Sequence, residues 1–131
     1  MAERAIPTAL LYQNVSRHLG AHASATAFAY LSLCTESMAG FSVDTTDFAS
    51  ELTRQAVTPT YETIAKTDDT IVMSKTGWTP GVSTVYGAGI FITVTATDAN
   101  LQAFHEWATS VTFESSDTLT QTIKLQSKLG T

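Results

Sequence analysis

Charge is scarce in this chain. Only 15% of its 131 residues are Asp, Glu, Lys or Arg, against roughly a quarter in ordinary globular domains. The seven Lys and Arg are scattered without forming a stripe, and the formal net charge is -5. Such a surface does not suit a phosphate backbone, so nucleic acid is not an expected partner. Cysteine is nearly absent: Cys34 alone excludes an intrachain disulfide and a cysteine-based zinc site. Between Leu33 and Thr35 it reads as a buried apolar filler. No charged segment followed by an apolar one opens the chain, and no apolar run approaches the ~20 residues that span a bilayer. The expectation is a soluble product, made in the cytoplasm and with no membrane partner.

What is present favours strands. Hydrophobic residues make up 44% of the chain, and threonine is roughly one residue in six, a bias that suits a pleated sheet. The longest β-branched and aromatic stretch without charge is Ser83 to Val94. Its apolar residues run together from Ala88 to Ile92 instead of alternating, as expected of a central strand covered on both faces. Gly87 and Gly89 inside it predict a bulge or a close approach of another backbone.

One helix is expected, over residues 7–19. Leu11, Val15 and Leu19 recur at helical spacing, Pro7 suits the first turn and Gly20 the C-cap. A helix of about three turns must dock its apolar stripe to be stable, here on a sheet. Strands are predicted over 27–34, 54–57, 61–65, 70–75, 83–94, 101–108, 111–113 and 119–129. Turn clusters lie at Gly77 to Gly81 and Asp98 to Asn100. Residues 35–50 read as a long irregular loop, the kind that is functional or mobile. About eight short strands without crossover helices predict an all-β fold: one antiparallel β-sandwich domain over residues 1–131, with a short N-terminal α-helix.

Chemistry is sparse. His18 and His22 have a metal-compatible i, i+4 spacing, but Gly20 should end the helix between them and no third ligand is in evidence. His105 and Glu106 adjoin on a strand and so point to opposite faces, which prevents acid–base cooperation. Asp44 with Asp47, and Asp68 with Asp69, lack the calcium-loop spacing. Gly87 and Gly89 are followed by no helix that could receive a pyrophosphate. Asn14-Val15-Ser16 matches a glycosylation acceptor in the middle of a helix. Trp78, Tyr86, Trp107 and Tyr61 could form a sugar-stacking platform, although aromatics in a sandwich more often fill the core. No catalytic, cofactor-binding or metal-binding residue is assigned, and an enzyme is not expected.

The order of segments resembles a family of small tailed-phage virion proteins often labelled tail-fibre proteins. Ala9 to Leu11 in the helix, Tyr30-Leu31-Ser32-Leu33, and Thr53 to Val57 after the long loop carry the first half of the likeness. A tryptophan-containing turn before Val85-Tyr86-Gly87-Ala88-Gly89-Ile90-Phe91 carries the second, followed by Asn100-Leu101, a strand with Trp107, and Ser116-Asp117-Thr118-Leu119. The chain departs from that pattern where Thr93 to Asp98 extends the central strand, and in the 35–50 loop. The resemblance implies a non-enzymatic virion subunit that forms a homo-oligomer, contacts capsid or tail proteins and needs no cofactor. It leaves open whether such a subunit decorates the capsid or belongs to the tail. The alternative is a carbohydrate-binding module for a host glycan. The 35–50 loop and the N-terminal segment are the expected attachment elements, so deleting residues 36–49 should leave the fold intact.

Overall fold

A computed structural model describes residues 3–23, 26–96 and 98–127. In chain order it contains β1 (Arg4–Pro7), α1 (Ala9–Leu19), β2 (Tyr30–Cys34), β3 (Gln55–Ala56), β4 (Thr60–Glu62), β5 (Thr70–Trp78), β6 (Ser83–Phe91), β7 (Ala103–Phe113) and β8 (Leu119–Gln126). Two antiparallel sheets result, β1-β7-β6-β2-β3 and β4-β5-β8. The expected sandwich with one short helix is therefore the observed architecture.

The strand inventory differs in instructive places. β1 is an edge strand paired with β7 through Arg4↔Glu106 to Pro7↔Ala103, whereas its residues read as a polar start and Pro7 as the first helical turn. Proline is tolerated there because an edge strand needs only half its donors. The helix accordingly starts at Ala9, after Thr8. The two strands expected at 101–108 and 111–113 are one, β7. β5 runs on to Trp78 through a register shift after Lys75, with Gly77 at φ +60 absorbing the irregularity. β6 stops at Phe91, so the expected extension beyond it is a bend, in which Asn100 Oδ1 accepts from the Ile92 amide. The part of the predicted last strand beyond Ser127 lies outside the described residues.

β6 lies in the middle of the five-stranded sheet, and both its faces are covered. On one face Leu31, Leu33, Val85, Ala88, Ile90 and Ala103 pack with Met73 and Ile123 from the other sheet. On the opposite face Cys34, Phe91 and Phe104 pack with Leu101 and with Met38 and Phe48, which belong to the 35–50 loop. That loop has no regular element, as expected, yet it is the lid of the second core.

The glycine pair explains how the lid seats. A Cβ at Gly89 would lie 2.5 Å from Phe48 Cζ and 2.6 Å from Leu101 Cδ1, and one at Gly87 would lie 2.6 Å from Met38 Sδ and 2.2 Å from the His105 carbonyl oxygen. Opposite them across the ladder stand Cys34 and Ser32. This floor of small residues makes two sockets for the loop's Met38 and Phe48. The irregularity predicted beside the glycines lies between Val85 and Gly87, where β7 passes through Trp107 to Ser110 while β6 advances only through Tyr86.

Candidate assembly surface

Two cation networks fix the lid, one buried around Arg54 and one half-buried around Arg4. Arg54, 3% exposed, lies 3.6 Å above the Phe91 ring and pairs with Glu51 at 2.9 Å and Asp47 at 3.3 Å. It also donates to the carbonyls of Thr93 and Asp98. Arg4 pairs with the buried Glu106, stacks on Phe104, and donates to the carbonyls of Phe41 and Met38. Each arginine ties loop to sheet over an aromatic face, and the fixed fork of the guanidinium suits that several-way bond. Burial pushes the Asp47 carboxyl above its ordinary range despite Arg54 nearby.

The expectation that residues 36–49 could be deleted without loss of fold is therefore corrected. Removing them would strip Met38 and Phe48 from the second core and leave Arg54 without Asp47. The N-terminal segment is likewise held, by the β1–β7 ladder.

The residues weighed for chemistry are dispersed. α1 ends between His18 and His22: the His22 amide bonds the Arg17 carbonyl and the Ala21 amide bonds that of His18, a Schellman ending. Its left-handed residue is Ala21, φ 51, and not the adjacent Gly20. His105 and Glu106 do face opposite ways. His105 meets Gln121 of β8 and Glu3, whereas Glu106 meets Arg4. Asp44 is exposed, while Asp47 serves Arg54. Asp69 accepts the amides of Ile64, Ala65 and Lys66, which hold its carboxyl well below the usual range. It shapes a turn in which its neighbour Asp68 has φ 54. Among the described residues no group of three or more His, Cys, Asp or Glu converges. Burial pushes the Cys34 thiol up to about 12, so it stays protonated and unreactive at neutral pH.

Asn14 is buried and its amide is engaged with both backbone atoms of Thr26, which removes it as a glycosylation acceptor in the folded chain. The four aromatics do not form one platform. Trp78 and Trp107 pack in the core between the sheets, Tyr86 packs on the other side of the large sheet, and Tyr61 is exposed. No helix among the described residues is long and apolar enough to cross a membrane.

One feature contradicts expectation. α1 docks through the polar Asn14 and through Leu11, which packs against the core as expected, while the rest of its apolar stripe is open: Val15 is 45% and Leu19 86% exposed, with Tyr12 beside them at 61%. Across from the stripe lie Tyr61, Ile71 and Leu125 of the small sheet, with Phe28 between. Together they line a groove of about 740 Å³, into which the partly buried core residues Leu11, Ile71 and Leu125 reach. The helix props the end of the sandwich open where it was expected to seal it. Periodicity reveals that a stripe exists, but the buried Asn14 anchor that turns it outward leaves no periodic signal.

No family model, curated protein or solved structure matches the chain.

Proposed function

We propose that the chain is a non-enzymatic structural subunit of a tailed-phage virion, carried in many copies on the particle surface as a capsid-decorating or tail-associated protein. The observation that supports an assembly role is the apolar groove beside α1. Full burial of one leucine-sized side chain is worth roughly 1.5–3 kcal/mol, and here several large apolar side chains face solvent around one opening. Exposed apolar surface gathered in this way marks a contact for another macromolecule. The tailed-phage assignment rests on the order of segments and on the glycine-bearing central strand. Copy number separates the two placements, since shell decoration needs hundreds of copies and a tail ring a few.

The test is incorporation. Quantitative mass spectrometry of purified particles should find the chain at a fixed copy number. The variant Tyr12→Lys/Leu19→Lys changes two exposed positions, so it should keep the wild-type circular dichroism and melting curve and be lost from particles. Absence of the wild-type chain from particles would refute the virion reading. Normal incorporation of the double variant would refute the groove as the contact.

A further inference from the structure

The small sheet ends in a strand that is not protected as the other edges are. Natural sheets blunt their edges with short strands, prolines or bulges, because an unpaired row of backbone groups templates another strand. Here β1 contains Pro7, β3 has two residues, and β4 has three and follows Pro59. β8 has eight residues, contains no proline, and has no described strand on the side away from β5. Its one charge, Lys124, is matched by Glu62 at 3.0 Å.

The hydrogen-bond pattern shows which groups face outward. The Ser127 amide bonds the Asp69 carbonyl at 2.9 Å, one step beyond the pair Thr70↔Gln126. In an antiparallel ladder bonded and non-bonded pairs alternate. Leu125, Ile123 and Gln121 therefore exchange bonds with β5, while the amides and carbonyls of Gln126, Lys124, Thr122 and Thr120 point away from it. The Thr122 carbonyl already takes a bond from the Gln121 side chain at 3.0 Å, consistent with its outward direction. Side chains separate in the same way: Ile123 is buried in the core, whereas Thr122 and Lys124 meet Ser74 and Glu62 on the other face.

From this edge we infer that two copies of the chain pair β8 to β8 across a twofold axis and join their three-stranded sheets into one continuous sheet. Bonded pairs across the axis must join outward-pointing residues, so even-numbered positions meet even-numbered ones and both core faces stay on the same side. Centring the axis on Lys124 would set two like charges opposite each other, which is unfavourable. Centring it on Ile123 places the two Ile123 side chains together at the close, non-bonded position. Thr122 then pairs with Lys124 of the second copy, and Thr120 with its Gln126. The Thr122 carbonyl exchanges its Gln121 bond for a backbone amide. Self-pairing needs no partner beyond the chain, and it stands on the strand edge alone, independently of the virion assignment.

Light scattering after size exclusion, on the full chain at micromolar concentration, should give twice the 14.0 kDa chain mass. Lys124→Pro removes an outward amide and no bond to β5, so it should halve that mass with unchanged circular dichroism. Under mild oxidation the double variant Thr122→Cys/Lys124→Cys should cross-link into a covalent dimer that neither single variant forms. A monomeric wild type overturns the inference. So does a dimer that survives Lys124→Pro, or one that Thr122→Cys alone cross-links, since that sets the axis at Thr122. If Lys124→Pro fails to fold, the cross-linking pattern decides alone.

Discussion

Placing a methyl group at Gly89 probes whether the 35–50 loop is a true part of the core. The added carbon would sit 2.5 Å from Phe48 and 2.6 Å from Leu101, well inside van der Waals contact. Phe48 is 2% exposed and its ring meets Phe91 edge-on at 5.2 Å, so it cannot yield freely. Overpacking of this kind costs about 1–3 kcal/mol, offset by the ~0.5–1 kcal/mol that alanine gains over glycine in a regular element. Gly89→Ala should therefore destabilise by a net ~0.5–2 kcal/mol. Phe48→Ala alone should cost about 3–5 kcal/mol, the range for a truncated core phenylalanine. In combination the ring's contact is gone and Leu101 can shift into the space the ring has left, so adding Gly89→Ala to Phe48→Ala should cost much less than Gly89→Ala alone. That is a coupling of about 1–2 kcal/mol, measurable as a double-mutant cycle from urea midpoints at constant slope. Gly87→Ala is the contrast. Its nearest obstacle is the His105 backbone carbonyl, so it should cost about 3 kcal/mol, the upper end for overpacking, and gain nothing from Met38→Ala. Additive effects at Gly89 and Phe48 would show that the ring does not rest on the glycine.

Ala21→Gly should raise stability by about 1 kcal/mol, because Ala21 holds the left-handed position that ends α1; a lower melting temperature would contradict that ending. Cys34 should resist Ellman's reagent in the folded chain and react on unfolding. Since its folded pKa is raised to about 12, the folded state binds the extra proton between the unfolded value and 12. Stability linked to Cys34 is thus complete below pH ~8.5 and is lost as pH rises toward 12, and Cys34→Ala should flatten that alkaline decline in urea titrations. Asp69 has the opposite sign: its folded pKa is lowered, so its contribution is present above pH ~4 and is lost as acid protonates it. Asp69→Ala should speed hydrogen exchange at Ile64, Ala65 and Lys66 at neutral pH, and unchanged exchange would refute the turn's dependence on that carboxylate.

Where a residue's role depends on its near neighbours, the sequence alone was informative. The run Ala88 to Ile92 and the pair Gly87 and Gly89 announced a central strand covered on both sides, and β6 is that strand. His105 and Glu106 were separable by the twofold period of a strand. The alternation of Ile123 and Leu125 against Lys124 marked β8. Side-chain direction and backbone freedom are local properties, which is why these readings hold.

The remainder is decided by contacts far apart in sequence. Nothing near residues 35–50 says that Met38 and Phe48 fill sockets above Gly87 and Gly89, because each socket lies more than 40 positions away. Arg4 and Arg54 look like unpaired surface charges until Glu106, Glu51 and the two phenylalanine rings meet them, half-burying the first and burying the second. The stripe of α1 is legible as apolar, but its outward turn goes with the inward placement of Asn14, which bonds the backbone of Thr26. Whether β8 is an inner strand or an open edge is a property of the sheet order, since its alternating pattern is the same in either place. Periodicity therefore specified the strands and the faces they cover, whereas the loop's place as a lid, the open groove and the β8 edge that no described strand covers are set by the tertiary structure, because each depends on which distant residue arrives at a given face.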